Sequence, residues 1–310
     1  MRKPVSRHAL IVHGGAGPRS PAAERAPRKA AMLAAVEAGA AILRSGGNAF
    51  DAVIASVVVL ENHPLFNAGY GSTFNADGEV EMDASLMLAD GELARAGAVA
   101  AVMGIRNPIR LARVVMEHTP HVLMTGRGAE RLAHRYGIEV CKPEDLITPR
   151  ARERYLDRIK RASEDAEEKH GTVGAAALDA HGRLAAATST GGVPGKLAGR
   201  VGDSAIIGAG TFANRIAAAS ATGHGEAIIR ASLCRETVEA VGRSALDYVA
   251  RRTITELIVP QSSEAGIVLV DRRGHVGYAH NAGAMDAGIF DTVGGVRFLR
   301  VAPMPHGAAR

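Results

Sequence analysis

"HGTVGAAALDAHGRLAAATSTGG", residues 170–192, decides how the chain is read. Two short apolar runs, VGAAALD and RLAAATST, flank AHG, a pattern that reads as a hairpin of buried strands. Before them runs RARERYLDRIKRASEDAEEKHG, residues 150–171, polar and helical in pattern. At the junction stands Thr172, a small stiff hydroxyl residue between a glycine and a valine. A threonine that opens a strand is ordinary by itself, because β-branched residues suit strands. The alternative is chemical. A threonine hydroxyl becomes a useful nucleophile only beside a base. Cutting the chain between Gly171 and Thr172 would supply one, the freed α-amine, with a pKa of about 7.7–8.0. Gly171 suits such a cut, since it has no Cβ to hinder attack on its carbonyl and tolerates strained backbone angles.

The bulk of the chain narrows the classes. Its 310 residues are enough for one large domain or two ordinary ones. Hydrophobic residues make up 47% and charged residues 22%, the balance of a soluble globular protein. The formal net charge is +5, from 37 basic and 32 acidic residues. The densest basic stretch, residues 150–161, is interrupted by Glu153 and Asp157 and followed by Glu164, Asp165, Glu167 and Glu168. Alternating signs describe a solvated helix face rather than a nucleic-acid patch. Cys141 and Cys234 form no CxxC, so no disulfide framework is expected and a reducing, cytoplasmic location is the default. No apolar run reaches the length of a secretory core or a membrane span, so no membrane partner is expected.

Periodicity organises the rest. ALIVHGGAG, residues 9–17, reads as a buried strand ending in a Gly-rich turn. Residues 22–47 read as a helix closed by Gly46 and Gly47, and a second helix, capped by Asn48, stops before Pro64. Residues 65–88 are glycine-punctuated and lead into strands. Residues 95–102 read as a strand, and 107–119 and 126–137 as helices. A polar region from about 140 to 171 is the best linker candidate. Strands are then expected over 173–179, 183–188 and 204–207, a helical stretch over 225–252 and a hairpin over 265–283. Strands on either side of helices fit stacked sheets covered by helices.

One apolar run, AIIGAGTFANRIAAA, matches a dinucleotide fingerprint through Gly208, Gly210 and Ala213, with Glu226 eighteen positions after Gly208. The fingerprint requires a second strand ending at the acidic residue. Glu226 instead follows TGHG and opens a helical pattern, so no organic cofactor is expected. His13, His63, His170 and His224 lack a ligand spacing such as HExxH and read as structural.

Eight motifs, in order, then change the weight given to Thr172: HGGAG (13–17), GGNAFDAV (46–53), PLFNAGYGS (64–72), EMDASLM (81–87), GTVGAAALD (171–179), TSTGG (188–192), GRVGDSAIIGAG (199–210) and TGHGE (222–226). They resemble the plant-type L-asparaginase and isoaspartyl peptidase family, also called β-aspartyl peptidases, of the N-terminal-nucleophile (Ntn) hydrolases. The resemblance covers the chain from 8 to about 280. It implies an α+β fold, a four-layer αββα sandwich, in a single domain cut into residues 1–171 and 172–310.

By resemblance Thr172 is the nucleophile and Gly171–Thr172 the cleavage site. Thr190 matches the threonine that hydrogen-bonds the nucleophile. Arg200 matches the residue that grips the substrate α-carboxylate, a task suited to a guanidinium fork. Asp203 matches the partner of its α-ammonium. Thr222 and Gly223 match the oxyanion hole, and Gly225 shapes the substrate pocket. Asn67 resembles a residue that supports maturation and site geometry. The loop around it resembles one that holds a structural Na⁺ through the backbone carbonyls of Leu60, Glu61, His63, Phe66, Ala68 and Tyr70. The implied substrates are L-asparagine and β-aspartyl dipeptides, and the implied assembly is (αβ)2.

Two alternatives remain open at this point. A glycosylasparaginase shares the chemistry, although here glycine rather than aspartate precedes the nucleophile and there is no Trp. An uncleaved binding protein on the same fold is the other. GGVPGKLAGR, residues 191–200, carries glycine and alanine where the pocket is bordered, which bears on substrate preference. The segment from residue 281 onward matches the family least, so its edge of the pocket is not assigned.

Overall fold

Alternation with a period of two sorts the first strands of the computed structural model, which describes residues 8–161 and 171–304. On β1 (Ala9–Gly17), Leu10 and Val12 join one core, and Ala9 and Ile11 another. On β5 (Val173–Leu178), Val173, Ala175 and Ala177 join the first, and Ala176 and Leu178 the second. On β6 (Leu184–Thr190) the same division separates Ala185 and Ala187 from Leu184 and Ala186. Both faces of these strands are therefore covered.

The first core lies under helices. α1 (Ala22–Arg44) and α2 (Ala49–Glu61) pack on each other and on β1, β5 and β6. Asn48 caps α2 as expected, its side chain accepting from the Asp51 amide at 2.7 Å. Further along come β2 (Met82–Asp90), β3 (Leu93–Val102), α3 (Pro108–His118), β4 (Leu123–Thr125) and α4 (Gly126–Arg135). α3 lies on β2 and β3. α5 (Pro149–Arg161) is a helix within the polar region. The remainder of that region, residues 162–170 with His170, lies outside the described residues.

The second half supplies β7 (Thr211–Ala213), β8 (Ala217–Gly223), α6 (Gly225–Ala231), α7 (Leu233–Glu239) and α8 (Leu246–Thr253). β9 (Ala265–Asp271), β10 (Val276–His280), β11 (Ala284–Asp291) and β12 (Gly295–Val301) follow. One sheet has eight strands in the order β12-β11-β1-β5-β6-β2-β3-β4, and the other four in the order β10-β9-β8-β7. Only β3 and β4 run parallel. β1, β5 and β6 face β8 and β9 across the second core, and α7 and α8 close the far side of the small sheet over a third. The result is the four-layer αββα sandwich. Its middle layer is rich in alanine, which lets the two sheets approach closely.

Two expectations are corrected. Residues 204–207 are not a strand: a 3-10 turn spans Asp203–Ala205, and the Asp203 carbonyl takes the amides of Ile206 and Gly210. The helical stretch over 225–252 is three helices, broken at Ser232, whose φ of 47° lies in the left-handed region. Gly208–Ala213 opens no helix and runs instead into the β7–β8 hairpin. Among the described residues no helix is long and apolar enough to cross a membrane.

Candidate active site

Register places Thr172 at the edge of a polar row. Val173 pairs with Ser189 across β5 and β6, so Thr172 stands beside Thr190 at the ends of both strands. Thr172 Oγ1 donates to Thr190 Oγ1 at 3.2 Å, and Thr190 Oγ1 also accepts from the Gly192 amide at 3.0 Å. Both threonines are buried, Thr172 at 5% exposure. On β2, Asp83 pairs with Thr190.

Two residues along each strand lies a second polar row. In register it reads His13, Gly174, Thr188 and Ser85 across β1, β5, β6 and β2. From the facing sheet Ser220 reaches into it, with its Oγ 2.8 Å from His13 Nε2 and 2.7 Å from Thr188 Oγ1. Thr211 Oγ1 donates to Thr188 Oγ1 at 2.6 Å, which in turn donates to the Gly210 carbonyl at 2.8 Å. Burial pushes the His13 imidazole down to about 3, with partial opposition from the Thr172 backbone, so the ring is neutral. This floor of hydroxyls and one imidazole fixes the spacing of the sheets directly beneath the nucleophile without burying a charge.

Gly174 is the gap that admits Ser220. A Cβ there would collide with Ser220 Oγ and come within 2.5 Å of His13 Nε2. Gly174→Ala is therefore expected to cost about 1–3 kcal/mol by overpacking and to displace Thr172. The readouts are a lowered Tm of the uncut chain and slower fragmentation. A variant with the wild-type Tm and rate would show that the floor yields at no cost.

The Gly-rich turn after β1 backs the Gly171–Thr172 bond. Gly15, at φ 100°, lies so close to Gly171 Cα that a Cβ would overlap it, and that Cβ would sit 2.8 Å from the Gly171 carbonyl carbon. Only glycine fits there. The next amide, Ala16 N–H, donates to Thr222 Oγ1 at 3.2 Å. A hydroxyl has one donor and two acceptor positions, so this bond leaves the Thr222 O–H free to donate. Gly223 beside it has φ 136°, and a Cβ there would overlap the Glu264 carbonyl. Asn67 clamps the loop after β6 from the other side. Its Nδ2 donates to the Gly192 carbonyl at 2.7 Å, its Oδ1 accepts from Thr73 N–H, and its carbonyl accepts from Gly191 N–H.

Arg200, Asp203 and Gly225 form a second cluster. Arg200 Nε and Nη2 both donate to Glu226 Oε1, at 2.9 and 2.7 Å. Its Nη1 would lie 2.8 Å from a Cβ at Gly202, and its Nη2 2.7 Å from one at Gly225, so both glycines make room for the guanidinium. Asp203 is 4% exposed, and its Oδ2 is buried without a hydrogen-bond partner among the described residues. Burial pushes its carboxyl up to about 7, against the pull of Arg200. A buried carboxylate with an unused acceptor facing glycine-made space is built for a cationic ligand.

Asp83 joins the two clusters. Paired with Thr190, it accepts from the Gly202 amide at 2.9 Å and from the Ala101 amide at 2.9 Å. The EMDASLM motif carried this residue without a role. The structure also adds Glu226, His13 and Ser220, which the sequence left as a helix opener, a structural histidine and an unremarked serine. For His13 and Ser220 the only signal was the two-residue offset from the Gly15 turn and from Thr222, invisible until the strands were registered, whereas Glu226 lies in the TGHGE motif itself. Thr188 and Ser189 serve the strands, with Ser189 Oγ donating to buried Glu61 at 2.7 Å. His63 and His224 make local hydrogen bonds, His63 Nδ1 to the Leu65 amide and His224 Nδ1 to Ser263 Oγ.

The chain is similar to known proteins over most of its length. The asparaginase family (Asparaginase_2) matches residues 6–295. The isoaspartyl peptidase/L-asparaginase of Mus musculus is 44% identical over 278 residues, covering 86% of this chain and 82% of its own. That of Homo sapiens is 46% identical over 258 residues, covering 78% and 82%. The isoaspartyl peptidase of Escherichia coli (strain K12) is 40% identical over 297 residues, covering 91% and 92%. With the sandwich fold and a match across nearly its whole length, the chain belongs to the asparaginase family.

Proposed function

We propose that this chain is an N-terminal threonine amidohydrolase, which cuts itself between Gly171 and Thr172 and then hydrolyses L-asparagine and β-aspartyl dipeptides. The observation that carries the reading is the buried Thr172–Thr190 hydroxyl pair, at the mouth of a strand whose preceding bond is packed against Gly15. The names of the relatives supply the substrate class.

Each group has a task consistent with its surroundings. The freed amine of Thr172 takes the proton of its own Oγ, which attacks the substrate side-chain carbonyl. The Thr222 hydroxyl and the Gly223 N–H stabilise the resulting oxyanion. Thr190 orients the nucleophile. Ammonia or an amino acid departs with the proton, and water then hydrolyses the ester on Thr172 to release aspartate. Arg200, held by Glu226, offers Nη1 to the substrate carboxylate, and Asp203 offers Oδ2 to its ammonium.

A Na⁺ held by backbone carbonyls of the loop from Leu60 to Tyr70 is carried over from the family resemblance. Two carbonyls of that set border glycine turns: a Cβ at Gly71 would lie 2.6 Å from the Phe66 carbonyl, and one at Gly69 2.5 Å from that of Glu61. The carbonyls of Leu60, Glu61, His63, Phe66, Ala68 and Tyr70 would hold the ion, which would stiffen the loop carrying Asn67. An (αβ)2 assembly is carried over from the family resemblance. Free Cys141 and Cys234 support a reducing, cytoplasmic setting.

The test is direct: purified protein, shown by mass to be cut, is assayed with L-asparagine and with a β-aspartyl dipeptide. Aspartate release from both is expected. Cut protein that binds aspartate without hydrolysing either substrate would favour the binding-protein alternative.

The Asp203 site adds a pH dependence. Below about 7 its carboxyl is protonated in the free enzyme and cannot pair with an ammonium. The Thr172 amine loses its basicity over a neighbouring range. Log kcat/KM for asparagine is therefore expected to fall on the acid side with a slope approaching two. Asp203→Asn is expected to raise KM and reduce that slope to one. An unchanged slope in the variant would detach Asp203 from substrate binding.

A further inference from the structure

A cavity of about 650 Å³ opens beside Gly171 rather than over Arg200 and Asp203. Its inner wall includes Gly14, Gly15, Asn67 and Gly171. Its rim is formed by Arg19, Arg25, Arg28, Arg150, Arg154 and Arg300, against a single lining acid, Asp286.

Two of these arginines are committed to the protein. Arg28 is buried, bonded to the Gly14 and Leu65 carbonyls and paired with Asp286 at 3.4 Å. Arg150 is paired with Glu24 at 3.1 Å. Arg25 donates to the Ser20 carbonyl and has no acidic partner among the described residues. Arg19, Arg154 and Arg300 have no acidic partner among the described residues, and all three are exposed at the rim. The cavity thus carries a surplus of guanidinium charge in the same lining as Gly171.

We propose that this cavity is the leaving-residue subsite and that Arg154 and Arg300, with Arg19, make the enzyme favour β-aspartyl dipeptides whose second residue has an acidic side chain. The inference rests on the amidohydrolase reading above. A β-aspartyl dipeptide consists of an acyl half and an amine half. The acyl half is taken by Arg200 and Asp203, so the amine half leaves by another side of Thr172. Cutting the Gly171–Thr172 bond would make this lining glycine a chain end, free to withdraw and open the cavity to Thr172, with its new carboxylate set against guanidiniums that lack an acidic partner among the described residues. The departing amino acid always carries its α-carboxylate there, and an aspartate or glutamate carries a second. Guanidiniums bind carboxylates by charge-assisted, bidentate hydrogen bonds. Ammonia from asparagine needs no such space, and 650 Å³ is ample for an amino acid.

Two substrates of equal shape isolate the charge: β-aspartyl-glutamate and β-aspartyl-glutamine, with kcat/KM measured on cut wild type and on cut Arg154→Gln/Arg300→Gln. Both substitutions are at exposed positions, so the fold is retained. Because exposed pairs are individually weak, wild type is expected to prefer the glutamate dipeptide about tenfold at low salt. That ratio should decline as salt screens the arginines and approach one in the double variant. Equal rates on the two dipeptides in wild type, or an unchanged ratio in the variant, would overturn the subsite. Cut protein that hydrolyses L-asparagine but neither dipeptide would overturn the subsite alone, and cut protein that hydrolyses none of the three would overturn the amidohydrolase reading with it.

Discussion

Thr172→Ala is expected to remain a single uncut chain and to hydrolyse neither asparagine nor β-aspartyl dipeptides. The loss in kcat should be about 10⁵–10⁶-fold, the scale on which removal of a nucleophile acts when the other groups of the unit stay in place. Structure should survive, because the change removes a hydroxyl and a methyl from a residue at a strand end and leaves the Thr190 hydroxyl its bond from Gly192. Intact mass, a thermal melt and a sensitive ammonia assay together check this. Thr172→Ser should cut and turn over, more slowly. Cleavage of the alanine variant at the same bond would mean that another group attacks Gly171.

Thr222→Val should show the second largest effect. The swap keeps shape and removes the O–H aimed at the developing oxyanion, so kcat is expected to fall about 10²–10³-fold while KM changes little. It also strands the Ala16 N–H, which donates to this hydroxyl at 3.2 Å. An unsatisfied buried donor costs about 1–3 kcal/mol, so a lower Tm should accompany the kinetic loss. Thr222→Ser restores both functions of the oxygen and should recover most of kcat. A valine variant with more than half the wild-type kcat would remove Thr222 from the oxyanion hole.

The sequence exposed much of the large sheet and the helices beside it where an apolar run, a helix cap or a turn between two runs marks an element. The Ala9–Val12 run, the Asn48 cap and the Val173–Leu178 and Leu184–Thr190 hairpin are examples. The small sheet was harder to see. β8 reads AAASATG, and alanine has little preference for strand over helix, so nothing marked it as the strand carrying Thr222. β11 and β12 lie in the least matched segment, yet β11 pairs with β1 along its length and so completes the cavity wall at Asp286. The threonines, Arg200 and Asp203 were legible because their motifs are local. Asp83, His13 and Ser220 were not, because each acts through a strand partner more than a hundred residues away or in the opposite sheet.

The most direct measurement of the central claim follows a freshly prepared wild-type chain over time near neutral pH, with intact mass and aspartate release read from the same aliquots. The account predicts fragments 1–171 and 172–310, with activity rising in proportion to the fragment that begins at Thr172. Full activity in a chain that remains whole would contradict it.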